Sequence, residues 1–257
     1  MRDLKVALIQ EDVRWQNGPA NRRLFGDYFP DLVDVDLVVL PEMFTTGFTM
    51  AAAEQCETMK GVTVDWMRAQ SQTFDFALAG SMIIEEQGRF YNRLLVARPD
   101  STLQWYDKRH LFRMADEHAR YTAGMERVVV NVNDWRVALQ ICYDLRFPVF
   151  SRNRGDYDAL LYVANWPAAR RTAWNTLLKA RAMENLSYCV GVNRIGVDGV
   201  GVEYLGESAV LDYVGEVLVS AGQAVGVARA TLSAARLARF RDKFPADRDA
   251  DAFHIDI

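Results

Sequence analysis

The sequence predicts an α/β protein in which two β-sheets pack face to face with helices on the outside. Three observations predict it: strand-like and helix-like segments interleave along 257 residues, several strand-like runs are apolar throughout and read as buried, and no Pro/Gly/Ser-rich linker interrupts them. A doubly wound single sheet would show the same periodicity. Without a linker, residues 1–257 read as one domain.

Taken in order, residues 5–10 and 35–40 read as buried strands, with a helix over 21–29 between them that Pro30 stops. A helix over 64–74 follows, then strands over 76–84 and 90–97 around the Gln87-Gly88 turn, and Pro99-Asp100-Ser101 marks another hairpin. Beyond Lys108 the chain is charged and irregular. Strands over 128–132 and 135–141 form a hairpin across Asn133-Asp134, Pro148 starts a helix over 148–154, and 159–163 is a further buried strand. The strongest helical pattern is 171–185, where Trp174, Leu177, Leu178, Ala182 and Met183 recur at helical spacing. Strands over 188–193, 208–213, 216–220 and 224–230 turn at Gly215 and Gly222, and a helix over 232–240 precedes an acidic tail.

Composition narrows the function. Hydrophobic residues make up 50% and charged residues 25%, enough for a sizeable core and far from a disordered profile. A net charge of −4 argues against general binding of polyanions, nucleic acid included. The opening Met1-Arg2-Asp3-Leu4-Lys5 leads into a strand rather than a cleavable apolar segment, and no apolar stretch is long enough to cross a bilayer. The expectation is a soluble cytoplasmic protein. Cys56, Cys142 and Cys189 are odd in number and far apart, and His110, His118 and His254 are scattered, so neither a disulfide framework nor a metal site is expected.

The chemistry concentrates where strands end. The run 137–141 stops at Cys142, followed by Tyr143-Asp144-Leu145-Arg146-Phe147-Pro148, and the run 35–40 stops at Pro41-Glu42-Met43-Phe44. Between them lies Tyr106-Asp107-Lys108-Arg109-His110-Leu111-Phe112. A thiol, a carboxylate and an ammonium can therefore meet at one rim of an α/β sheet, where such folds place their sites. Cleaving an amide with a thiol needs a base for the thiol proton, a donor for the oxyanion and an acid for the departing ammonia.

These three segments resemble the nitrilase, or carbon–nitrogen hydrolase, superfamily. The resemblance implies an αββα four-layer sandwich, no cofactor, and a division of labour: Glu42 as base and acid, Lys108 stabilising the tetrahedral species, Cys142 forming a thioester that water hydrolyses, and the Tyr143 backbone N–H as second oxyanion donor. It also implies a second glutamate in the loop after the lysine. Glu117 fits by its spacing to Gly124, with Asp116 as the neighbouring alternative. The similarity continues through residues 162–167, 180–185 and 193–196, so that Asn165 and Trp166 line the pocket while Arg181 and Glu184 are structural ion partners. Val149 stands where many relatives carry Glu.

Within the superfamily the chain looks most like the ω-amidases, which deamidate 2-oxoglutaramate and 2-oxosuccinamate. Such substrates end in a carboxylate, and Arg170 and Arg171, just past Trp166-Pro167, are the expected anchors. Other amidase, carbamoylase and nitrilase substrates fit the same motifs. A Cys–His hydrolase using His110 or His118, and a non-catalytic binding protein on the same fold, are readings from other classes. The resemblance also implies a homodimer, with the tail near the interface: Phe253, Ile255 and Ile257 alternate as though one face were covered.

Overall fold

The computed structural model describes residues 1–255. The first half of the chain forms β1 (Leu4–Gln10), α1 (Gly18–Gly26), β2 (Leu37–Val39), α2 (Ala52–Gln55), α3 (Val62–Phe74), β3 (Ala77–Glu86), β4 (Arg89–Ala97) and β5 (Leu103–Asp107). The second half forms α4 (Glu117–Arg120), β6 (Val129–Val132), β7 (Trp135–Ile141), α5 (Pro148–Ser151), β8 (Ala159–Ala164), α6 (Arg171–Glu184) and β9 (Tyr188–Asn193). It closes with β10 (Ile195–Val197), β11 (Glu203–Leu205), β12 (Ala209–Leu211), β13 (Val217–Ser220), β14 (Gly226–Leu232) and α7 (Ala234–Lys243).

Two six-stranded sheets result, ordered β14-β1-β2-β3-β4-β5 and β13-β12-β9-β8-β7-β6, with β10 and β11 as a separate hairpin. In each, three central strands run parallel, β1-β2-β3 and β7-β8-β9, and antiparallel strands flank them. The central strands are covered on both faces, which is why they read as continuous apolar runs. Val6, Leu8, Val39 and Leu94 of the first sheet share a core with Val137, Leu139, Leu161 and Val190 of the second. The outer face of the first sheet, through Ile9, Val38 and Leu78, packs on Phe25 of α1 and on Val64 and Met67 of α3. On the far side Trp174, Leu178 and Ala182 of α6 are buried against the second sheet, where a side chain on Gly191 would collide with Leu178. The layers are therefore helix, sheet, sheet, helix: an αββα sandwich.

The element boundaries shift for local reasons. The first helix begins at Gly18 because Asn17 accepts a hydrogen bond from Ala20 N, and it ends at Gly26, leaving Phe29–Asp31 as a 3₁₀ turn. The helix at Pro148 stops at Ser151 because Asn153 Oδ1 takes up the backbone N–H groups of Gly155, Asp156 and Tyr157 in a side-chain turn. Leu232 stays in β14, paired with Leu4, so the last helix starts later than its apolar pattern implies. Among the described residues no helix is long and apolar enough to cross a membrane.

Candidate active site

Parallel strands β2, β7 and β8 deliver side chains to one rim from both sheets. After β2, Pro41 breaks the ladder and the chain turns onto β3, with Met43 N donating to Ser81 Oγ at 2.8 Å and Phe44 N to Ser81 O at 3.0 Å. Met43 holds a left-handed φ of 44° in this turn. Glu42 is thereby aimed inward and fully buried. Its Oε1 accepts from Asn92 Nδ2 at 2.8 Å and Lys108 Nζ at 2.9 Å, and its Oε2 accepts from Asn165 N at 2.7 Å. Asn165, at the end of β8, also donates its Nδ2 to Glu42 O at 2.7 Å.

Lys108 follows β5 and is locked by its backbone: its N donates to Asn92 O at 3.0 Å and its O accepts from Gly124 N at 2.9 Å. Only glycine fits at 124, because a Cβ there would lie 2.1 Å from Asp107 O. The ammonium bonds to Glu42 Oε1 at 2.9 Å and to Glu117 at 2.9 and 3.0 Å, and lies 5.1 Å from the Phe48 ring centre. Burial alone would lower its pKa, but the carboxylates of Glu117 and Glu42 outweigh that and raise it, which favours the ammonium form. Glu117 opens α4, buried, and accepts from Phe112 N at 2.6 Å. Burial raises its carboxyl pKa against the opposing pull of Lys108. Asp116, the alternative, is exposed and forms the left-handed turn before α4.

Cys142 begins a 3₁₀ turn over Cys142–Arg146 with φ of 45°, a strained conformation for a residue with a side chain. Its Sγ lies 3.7 Å from Asn165 O. Burial first, then the charge of Glu42, push the thiol well above its ordinary range, with Lys108 opposing. The thiol is therefore held in its neutral form, with the Glu42 carboxylate beside it.

Above this floor opens a cavity of about 750 Å³. Phe48, Phe112, Tyr143, Trp166 and Tyr204 supply much of its wall. Two arginines face it: the Arg146 guanidinium lies 5.0 Å from the Trp166 ring centre and that of Arg170 lies 5.1 Å from Phe112. Among the described residues neither forms an ion pair with a carboxylate, so both cations are free to meet an anionic ligand.

The sequence profile described as "Carbon-nitrogen hydrolase" matches residues 7–242. The chain belongs to the carbon–nitrogen hydrolase family. It is 48% identical over 257 residues to omega-amidase YafV of Escherichia coli strain K12, covering 99% of this chain and 100% of that one. It is 31% identical to 2-oxoglutaramate amidase of Bacillus subtilis strain 168 over 82% of this chain and 83% of the relative. The fold superposes on a carbon–nitrogen hydrolase superfamily protein from Xanthomonas campestris, crystallised with an arsenic adduct in its active site, with a TM-score of 0.98, 47% identity and 100% coverage of both chains. The chain is thus a nitrilase-superfamily amidase, a hydrolase of carbon–nitrogen bonds other than peptide bonds.

In this hydrolase Glu42, Lys108, Cys142, Tyr143, Asn165, Trp166 and Arg170 all line one cavity, and Glu117 stands behind Lys108. Arg171 does not reach it. That residue starts α6 and turns away to Glu207, its Nε 2.6 Å from Oε1, because successive residues entering a helix point about 100° apart. His110 and His118 do not line the cavity either; His110 is held by Asp144, and His118 is exposed on α4. Arg181 and Glu184 form an ion pair at 3.0 Å. The sequence reading missed Arg146, Phe48, Tyr204 and Asn92. Two signals were present: Arg146 lies one turn past Cys142, and Asn92 is an amide that opens the apolar half of its strand beside Arg93.

Proposed function

We propose that this hydrolase removes the terminal amide of small 2-oxo acid monoamides, 2-oxoglutaramate and 2-oxosuccinamate, releasing ammonia through a thioester on Cys142. One observation carries the reading: a neutral buried thiol beside a Glu42–Lys108–Glu117 cluster, beneath a cavity faced by two arginines that pair with no carboxylate among the described residues. Glu42 takes the thiol proton as Sγ attacks the amide carbon. The oxyanion forms toward the Lys108 ammonium and the Tyr143 N–H, which stabilise charge that develops only in the transition state. Glu42 returns the proton to nitrogen, the C–N bond breaks and ammonia leaves. Glu42 then deprotonates a water that attacks the thioester, and the acid departs with regeneration of the thiol. Glu117, hydrogen-bonded to Lys108, keeps the ammonium charged and aimed throughout.

Arg146 and Arg170 are the anchors for the substrate carboxylate in this reading, with a guanidinium fork suited to a bidentate contact. The E. coli and B. subtilis relatives, named omega-amidase and 2-oxoglutaramate amidase, support the same substrate class. The enzyme is further read as a cytoplasmic homodimer. Val149, Met183 and Phe253, exposed apolar side chains of α5, α6 and the tail, support the association of two copies. Phe253 meets the Arg154 guanidinium at 4.8 Å and Ile255 packs on the core, while Ile257 lies outside the described residues.

An ammonia-release screen over 2-oxo amides, linear amides, carbamoyl amino acids and nitriles, with Cys142→Ala as control, tests the assignment. The 2-oxo monoamides should be the best substrates and the control inactive. No preference for acidic amides removes the ω-amidase assignment; a substantially active control removes the thioester mechanism.

A further inference from the structure

Two residues past Cys142 lies a fully buried carboxylate whose oxygens are both saturated. Asp144 Oδ2 accepts from Ile141 N at 2.9 Å and from Tyr106 Oη at 2.8 Å. Its Oδ1 accepts from His110 N at 2.9 Å and lies 2.7 Å from His110 Nδ1. A carboxylate has only lone pairs to offer, so Nδ1 carries the proton in that contact. Among the described residues the His110 ring is the only ion-pair partner of Asp144, which therefore depends on directed donors rather than on a lysine or arginine.

The donors come from two places that the fold must hold together. Ile141 is the last residue of β7, directly before the nucleophile, whereas Tyr106 and His110 flank Lys108 by two residues on either side. β7 belongs to the second sheet and β5, which carries Tyr106, to the first. One carboxylate thus bolts the strand end that bears the thiol to the strand end that bears the ammonium. Cys142 keeps its left-handed backbone only while its surroundings fix it, and the Ile141–Asp144 bond closes the turn around it. His110 is itself immobilised, stacked on Phe147 at 3.8 Å and 6° and edge-on to Phe150 at 5.4 Å.

We infer that Asp144 and His110 are a positioning pair for the amide hydrolysis, setting the Cys142 thiol and the Lys108 ammonium at their working separation. The inference rests on the reading of Cys142 as nucleophile and Lys108 as oxyanion donor. Neither residue lines the cavity, so their loss acts on the chemical step rather than on substrate binding. A displacement of about 1 Å at reacting groups costs roughly 100-fold in rate.

The test is steady-state kinetics on 2-oxoglutaramate with the full chain. Asp144→Asn, which turns an acceptor oxygen into a donor facing other donors, should lower kcat by about 100-fold with KM within about twofold. His110→Ala should lower kcat by about tenfold, and His110→Asn, whose Nδ2 can replace the Nδ1–H donor, should recover most of that loss. Adding His110→Ala to Asp144→Asn should cost little more, because the bond is already broken. A kcat for folded Asp144→Asn within threefold of the parent, a loss confined to KM, or His110→Asn no better than His110→Ala overturns the inference. Should Asp144→Asn fail to fold, the two His110 variants decide it alone. Cys142→Ala separates the two levels: if it is inactive while these variants are normal, only the positioning role falls, and if it is active, the nucleophile assignment falls first.

Discussion

Replacing Lys108 with methionine removes the one cation from a cluster in which Lys108, Glu42 and Glu117 are each at most 1% exposed. Three short bonds vanish, at 2.9, 2.9 and 3.0 Å, and two carboxylates are left facing one apolar side chain. Breaking a buried ion pair by deleting one partner costs about 3–5 kcal/mol. At roughly 2–4 °C per kcal/mol for a chain of this size, Tm should fall by about 6–20 °C. The loss should depend on pH with a definite sign. Burial, with Glu42 adding to it, already raises the Glu117 carboxyl against the pull of Lys108, and without Lys108 only the Phe112 N–H still opposes that rise. A carboxyl whose folded pKa lies above its unfolded value supports the fold below the unfolded value, about 4.3, and loses that support as pH rises through the folded pKa. The Tm deficit against the parent should therefore be largest near pH 8 and shrink toward pH 5. Adding Glu117→Gln should recover stability at pH 8, since one buried charge is gone. Circular dichroism melts of parent, Lys108→Met and the double variant across this range measure all three quantities, and kcat should fall by about 10²–10³ through loss of an oxyanion donor. A deficit equal at pH 5 and pH 8, or a double variant less stable than Lys108→Met, refutes the reasoning.

Three further outcomes follow from the same geometry. Because burial and then Glu42 raise the Cys142 thiol, Glu42→Gln should move the pH profile of iodoacetamide labelling to lower pH while amide hydrolysis collapses; an unmoved or upward midpoint contradicts it. Arg146→Met and Arg170→Met should each weaken a 2-oxo dicarboxylic monoamide by about 1.5–3 kcal/mol, roughly 10- to 150-fold in kcat/KM, and spare a neutral amide. Arg171→Met should spare both, since its partner is Glu207; equal losses on both substrates in the first two variants would indicate general damage. Light scattering should find the full chain dimeric and a chain ending at Phe244 more weakly associated, and a monomeric parent or an equally tight truncation removes the tail from the interface.

The helix over 171–185 and the runs that end at Leu40 and Ile141 were legible because burial leaves a periodic trace in one dimension. The hairpin of β10 and β11 was not: each strand is three residues long and the loop between them, with Gly199 and Gly201, carries no alternation strong enough to register. Yet Asp198, Val200, Val202 and Tyr204 from this hairpin form part of the cavity wall.

The sequence by itself determined the family and singled out Glu42, Lys108 and Cys142 as candidate site residues, because each sits in a contiguous motif at or just past the end of a strand-like run. Only the tertiary structure decided which charges share the site. Glu117 rather than Asp116 meets Lys108 because the turn before α4 buries one and exposes the other. Arg146 rather than Arg171 faces the cavity because a 3₁₀ turn carries the first over Trp166, while the phase of α6 sends the second to Glu207. The bond from Glu42 to Asn165 spans 123 positions and joins two sheets. Contacts of that kind arise when apolar faces pack and bring strand ends together, and no local pattern records which distant partner will be there.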